Sequence, residues 1–324
     1  MADDLSYKDT TMSTTDSPFH PGERAVQARF GLQEKMDMIG RKIIRPYMPD
    51  QHRSFFAQLP TFFLGWRDDD GWPWATVLTG TPGFLSTPSE TELRIETLPA
   101  AGEPFRDTLR KGRRLGGLGL EFETHRRNRV NGFVQSLDEN GFSLTVEQSF
   151  GNCPQYIQTR NTAARPTETP SAPAETFAEL EAADVVAIQA ADTFFIASSA
   201  GDGDGTPATG ADVSHRGGLP GFVRVNADGA IEFPDYAGNR QFQTLGNIEA
   251  TGRAGLLFME FTSGDLLRLT GDAEIIWEGP RVDALPGAER VVRIVPNKGH
   301  RLKNALPLQW EFNEYSPSFA PFTT

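Results

Sequence analysis

The feature that most constrains this chain is that it spells nearly the same words twice. Thr61-Phe62-Phe63 returns as Thr193-Phe194-Phe195, an offset of 132. Pro82-Gly83-Phe84 returns as Pro220-Gly221-Phe222 at 138, and Glu121-Phe122 as Glu260-Phe261 at 139. Arg129 to Gly132 (RVNG) returns as Arg268 to Gly271 (RLTG), again at 139. Four anchors in one order at a nearly constant offset describe two copies of one unit, the second lengthened around the glycine-rich SSAGDGDGTPATG. The text between the anchors is β-like: TFFLGW, WATVLTG, GLGLEFET, and the hairpin RVNGFVQSL–DENG–FSLTVEQSF. A lone small sheet exposes faces and edges, so two copies are expected to pack against each other and bury surface that neither could bury alone.

The remaining organisation follows from punctuation. Residues 1–18 read as a loose polar tail, 19–160 as a first domain with leading helices, 161–175 (NTAARPTETPSAPAE) as a linker, and 176–324 as a second domain. Leu32, Met36, Ile39 and Ile43 form one helical stripe in a segment running from Glu23 to a stop at Pro46. Shorter helices are expected at about Asp50–Leu59 and Phe177–Ala190. The second β-rich stretch is expected from Thr193 to about Trp277, followed from Val291 by a tail too aromatic to lie free in water.

Composition excludes several classes. A net charge of −12 argues against a nucleic-acid or anionic-membrane surface, and no apolar run approaches the roughly 20 residues that span a bilayer. A single cysteine, Cys153, rules out an intramolecular disulfide or a multi-cysteine metal site and is expected to be a buried thiol. The polar, acidic N-terminus does not read as a secretory signal, which points to the cytoplasm. The basic run His125–Arg129 is read as a solvated strand face or as ion-pair partners for the acidic excess.

Two stretches of the second copy suggest a ligand. Phe242, Leu245 and Ile248, three apart, mark one face of a short helix with Gly238-Asn239-Arg240 at its entrance. Free N–H groups at a helix N-terminus together with an arginine suit a phosphate; an Asn-capped helix with a solvated arginine is the alternative. The first copy's equivalent, LPAAGEPFRDTLRKGR, lacks the Asn-Arg pair, so a site is expected in the second copy only. Upstream, Asp212–Gly218 supplies Ser214, His215, Arg216 and Gly217, which could meet a flat heterocycle or could be a polar loop. Ser214 and His215 are adjacent on a strand and point to opposite faces, so they are no nucleophile–base pair, and His215 has no spacing partner for a metal.

Longer motifs resemble the pyridoxamine 5′-phosphate oxidase-like flavoproteins, the FMN-binding split-barrel superfamily, in its tandem bacterial form. In the first half these are FHPGERAVQ (19–27), PWATVLTGTPGF (73–84), RRNRVNG (126–132) and GNCPQYIQTR (151–160). In the second they are DTFFIASS (192–199), DVSHRGGLPGFVRV (212–225), FPDYAGNRQFQTLGNI (233–248) and LPLQWEFNEYSPS (306–318). The resemblance implies a mainly β fold of two six-stranded split barrels with helices on the flanks, and FMN where the barrels meet. It implies that Asn239 and Arg240 hold the phosphate and that Ser214, Arg216 and Gly217 line the isoalloxazine. Leu245 and Asn247 would complete the pocket, with Asn152 and Tyr156 facing it from the first copy. It further implies an oxidoreductase acting on a small-molecule substrate with an external electron donor or acceptor; a homodimer is left open. A non-catalytic flavin or electron-transfer module, or a barrel that binds haem or deazaflavin, are the alternatives.

Overall fold

Local chemistry breaks the leading stripe into two helices where one was expected. Pro21 at the first helical position and a capping box between His20 and Glu23 start α1 (Pro21–Arg29). Gly31, at φ +65°, turns the chain into α2 (Gln33–Ile43), and α3 (Asp50–Ala57) follows. The computed structural model describes residues 17–99, 103–165, 173–201 and 205–322. Most of the expected tail, and residues 166–172 of the expected linker, lie outside them.

The body is two antiparallel sheets. The first contains β1 (Thr61–Arg67), β2 (Pro73–Thr79), β3 (Leu85–Ser89), β4 (Glu92–Ile95), then α4 (Pro104–Thr108), β5 (Arg114–Glu121), β6 (Arg126–Leu137) and β7 (Phe142–Gly151). Its strand order is β2-β1-β5-β6-β7-β4-β3. After β8 (Thr159–Ala164) and the short β9 (Glu175–Phe177), α5 (Ala182–Ala190) leads into the second set. This set is β10 (Thr193–Ser199), β11 (Ala211–Gly217), β12 (Arg224–Val225), β13 (Ile231–Asp235), α6 (Gln243–Thr251), β14 (Arg253–Met259), β15 (Leu266–Ile276), α7 (Pro280–Asp283) and β16 (Arg290–Leu302). Its order, β11-β10-β14-β15-β16-β13-β12, repeats the first strand for strand. Each half is a split barrel, with seven strands on its path where six were expected; the least of them, β12, is two residues long.

Three expectations change in this frame. The segment from Val291 is no tail: β16 is a 13-residue strand between β15 and β13, with Val291, Val292 and Ile294 fully buried. Phe177 opens no helix but pairs through β9 with Gly299 of β16. The aromatic C-terminal stretch forms β17 (Leu308–Glu314), which pairs with β8 of the other half, and Trp310 is buried in the core there.

The halves meet through β1, β2 and β5 on one side and β10, β11 and β14 on the other, with reciprocal contacts: β1 on β11 as β10 on β2, and β5 on β11 as β14 on β2. The matching residues Phe63 and Phe195 stack at 3.7 Å between ring centres, both fully buried. Backbones come this close because the matching positions Gly116 and Gly255 lack a side chain. A Cβ on Gly116 would lie 2.5 Å from Asp212 Cα, and one on Gly255 would collide with the carbonyl of Pro73. Each sheet also has its own apolar core, and a third cluster with Phe63, Leu118, Phe195 and Leu257 lies along the seam.

Candidate functional site

Beside that seam lies a cavity of about 120 Å³. The second half contributes Ser214, Arg216 and Gly217 from β11, the end of β13 with the loop that follows it (together 234–240), and the first turn of α6. The first half contributes Arg127 and Arg129 from β6 and the segment Asn152–Tyr156. Of the nine residues expected from the sequence, eight line this one cavity; Asn247 does not. It lies on α6 with its amide donating to Ser198 Oγ at 3.0 Å.

The cavity wall has four arginines, Arg127, Arg129, Arg216 and Arg240, against one carboxylate, Asp235. Asp212, Asp235 and Glu289 pair with Arg129, Arg216 and Arg240, which leaves Arg127 in excess; in a chain of net charge −12 that local positive balance favours an anion. The arginines are held in fixed poses. Arg216 Nη1 donates to Asp235 at 2.6 Å, and Arg240 makes a bidentate pair with Glu289 at 2.5 and 2.6 Å. Arg129, almost fully buried, donates to Asp212 and to Ser214 Oγ. Asn239, an exposed residue, donates to Asn152 Oδ1 across the seam at 3.4 Å.

Backbone strain collects at the same place. Among the described residues, five other than glycine adopt left-handed φ, and three of these, Tyr156, Arg240 and Phe242, line the cavity. Such conformations cost free energy, and they are retained where the surroundings impose them, commonly at binding sites. Phe242, at φ +62°, is the N-cap of α6, so the helix starts with no side-chain cap and its first turn opens on the cavity. Tyr156 reaches from the first half, stacks on Tyr236 at 5.0 Å, and donates its hydroxyl to the carbonyl of Ala237 at 3.0 Å.

His215 is held neutral, its pKa pushed well below 6.5 by burial and by the positive charges of Arg127, Arg160 and Arg216. Arg127 Nη1 lies 3.5 Å from His215 Nδ1. An arginine can only donate, so Nδ1 accepts and the proton sits on Nε2, which is buried without a partner among the described residues. Arg127 is itself pushed down to about 9 by burial and by Arg129.

Under the cavity lies a polar network that α1 completes. Ser214 Oγ is 2.9 Å from Thr244 Oγ1 of α6, and Gln27 of α1 donates to the carbonyl of Gln241 at 3.2 Å. The crossing of α1 on α6 is close enough that a Cβ on Gly246 would lie 2.5 Å from Glu23 Cα. Glu23 accepts the His20 N–H at 2.8 Å, and burial raises its pKa well above the carboxylate range, with Asp212 adding to the shift. Thus the FHPGERAVQ motif, which gave no residue to the expected site, seats the helix on which that site depends.

Several readings need correction. Arg129 is an ion-pair partner, as one of the two readings had it, but of the buried Asp212, and with Arg127 it lines the cavity instead of a solvated strand face. The hint lay in the repeat, which places an arginine at 129 and again at 268. Cys153 is half-buried at the cavity and accepts from Arg127 Nε through its carbonyl at 2.6 Å, so it is no core thiol. Gly217 is required by protein packing, because a Cβ there would collide with the carbonyl of Tyr156. Among the described residues no group of three metal-ligating side chains converges, and no helix is long and apolar enough to cross a membrane.

Comparison with known proteins bears on the second half directly. Residues 180–315 match the family model described as Pyridoxamine 5′-phosphate oxidase. This stretch contains β11, residues 234–240 and α6. No curated protein matches the chain. Solved structures similar to parts of it include the Group A Streptococcus protein HupZ, at 16% identity and a TM-score of 0.29, covering 36% of this chain and 90% of that one. A putative pyridoxamine 5′-phosphate oxidase from Lactobacillus delbrueckii is 14% identical, with a TM-score of 0.27, 33% of this chain and 98% of that one covered. An FAD binding protein from Mycobacterium smegmatis is 12% identical, with a TM-score of 0.25 and coverage of 40% and 97%.

Proposed function

We propose that the second half, a split barrel of the pyridoxamine 5′-phosphate oxidase type, holds a flavin at the seam, FMN in particular, and that the protein is an oxidoreductase acting on a small molecule. The observation that carries this reading is the convergence on one cavity of Arg216, Arg240 and an uncapped helix turn from the family-matched segment with Arg127 and Arg129 from the first half, in an otherwise acidic chain.

The donor set fits a phosphomonoester. Arg240 supplies a guanidinium whose charge Glu289 already orients, Asn239 and the first N–H groups of α6 supply neutral donors, and Arg216 stands opposite. His215 Nε2 and Arg216 Nε are buried beside the cavity without partners, as befits a wall built for a polar guest. A bound flavin would supply the electron and hydride transfer; the protein's part is to anchor the phosphate, orient the ring and set its electrostatics. Positive charge from Arg127 and Arg129 near the ring would favour a reduced, anionic state. The cavity volume is below the 300–1,000 Å³ typical of ligand pockets, so a ring would have to displace part of the wall, and the Tyr156–Ala237 hydrogen bond is one contact that could yield.

The test is direct. Protein purified from its expression host is expected to be yellow and to release one equivalent of FMN on denaturation, identified by its mass. Colourless protein that stays so after equilibration with micromolar FMN overturns the reading, and a haem or deazaflavin spectrum redirects it. A second reading, a flavin carrier or electron-transfer module that needs a protein partner, draws on the small cavity, which leaves little room for a substrate beside the ring. Bound FMN without turnover of reduced nicotinamides or common acceptors favours that reading.

A further inference from the structure

A second, larger cavity, about 1000 Å³, lies between α5, the β14–β15 hairpin and β17. Part of its wall is apolar: Ala187 and Ala190 of α5, Phe258 and Met259 of β14, Phe261 of the hairpin, and Phe312 of β17. Its charge is opposite to that of the flavin-type site. Seven carboxylates line it, Glu175, Glu181, Asp184, Asp192, Glu260, Asp265 and Glu311, against three basic residues, Arg160, Arg301 and Lys303.

Two of the three bases are already neutralised. Arg160 is bidentate on Asp192 at 2.6 Å, and Arg301 is shared among Asp184, Glu175 and Glu181. Glu260, Asp265 and Glu311 have no ion pair among the described residues, although Glu260 accepts the Thr262 and Ser263 N–H groups and Asp265 that of Asn304; set against Lys303, they leave negative charge in excess beside aromatic faces. Those faces already bind a cation, since the Arg160 guanidinium lies 4.0 Å from the centre of Phe261 and 5.6 Å from that of Phe312.

We propose that this cavity is a binding site for an organic cation, a small molecule that joins an aromatic or aliphatic body to an ammonium group. The apolar walls would take the body, and the aromatic faces and the carboxylates without an ion pair, Glu311 first among them, would take the charge. The lining charge disfavours an organic anion of the same size.

The test uses the full-length protein and calorimetric titration with benzyltrimethylammonium, with benzenesulfonate as the anionic contrast. Saturable binding of the ammonium at one per chain, weakened as salt rises, with no measurable binding of the sulfonate, is the expected result. Ala187→Trp fills the cavity from the exposed face of α5, and it should weaken the ammonium at least tenfold while leaving the melting temperature and flavin content unchanged. Absence of saturable binding, equal binding of the sulfonate, or binding that survives Ala187→Trp overturns the proposal.

Discussion

The two halves share a strand order but not a site, and the comparison shows what separates a ligand cavity from a structural seam. Register makes it residue by residue: Phe63 pairs with Val77 where Phe195 pairs with His215, and Phe62 with Leu78 where Phe194 pairs with Arg216. At the place of Asp212 stands Trp74, packed on His300 at 4.7 Å. The buried arginine is kept in both halves, yet Arg129 pairs with Asp212 beside an open cavity, whereas Arg268 pairs with Glu103, the N-cap of the five-residue α4. The first half has Val77, Leu78 and Trp74 where the second has His215, Arg216 and Asp212. A symmetric pair of barrels thus has one candidate phosphate site. Its counterpart does mechanical work.

The largest expected effect tests that division. Removing one partner of a buried ion pair typically costs about 3–5 kcal/mol, because the other charge is left without compensation. Arg129→Met and Arg268→Met are therefore expected to destabilise the fold by similar amounts in urea melts, while only Arg129→Met also abolishes FMN retention. If Arg268→Met empties the protein of flavin at a temperature where it remains folded, the two places are not distinct.

Next in size, Arg240→Ala is expected to weaken FMN binding by roughly 1.5–3 kcal/mol, the scale of a charge-assisted hydrogen bond. Arg106, the residue of the first half expected to match it, donates to the Pro99 carbonyl at 2.8 Å and takes no part in the cavity, so Arg106→Ala should leave affinity unchanged. Titration of the apo-protein with FMN, followed by flavin fluorescence, measures both.

These differences were legible in the sequence to unequal degrees. The strand plan was readable because turn words recur at fixed spacing and strands need only alternation between them. Asn239 and Arg240 were readable because they stand at a helix entrance in one copy and are missing from the other. That Arg129 pairs with a carboxylate was one of two readings, but its burial could not be read, since a charge in a strand of alternating pattern looks solvated unless its partner is known, and Asp212 lies 83 positions away. The same limit hid α1: nothing local in FHPGERAVQ says that it will seat α6, because the contact depends on Gly22 and Gly246 meeting across more than 200 residues. Strand β16 was lost because Pro296 and Gly299 interrupt its pattern, although a register shift absorbs the irregularity.

A smaller effect separates the halves by pH. His300 is pushed down to about 4 by burial and by Arg268 and Lys298. Below pH 6.5 the unfolded chain takes up a proton there that the folded chain refuses, so stability falls as pH drops, by about 1.5 kcal/mol at pH 5.5 for this group. His300→Phe introduces the residue found at the matching position, Phe150. It should reduce the loss of stability between pH 7 and 5.5 by that amount without shifting FMN affinity at pH 7. An unchanged pH profile would mean that burial beside Arg268 and Lys298 does not keep the imidazole neutral.

The smallest expected effect concerns the tyrosine that the first half lends to the cavity. Tyr156→Phe removes one half-exposed hydrogen bond, to the Ala237 carbonyl, and keeps the stack on Tyr236. A loss of about 0.5–1 kcal/mol in FMN affinity is expected if the bond re-forms over the bound ligand. If the hydroxyl must instead let go for the ring to enter, affinity rises by a similar amount and association quickens. Stopped-flow mixing of apo-protein with FMN separates the two, because only a gate that opens before binding speeds the on-rate when its latch is removed.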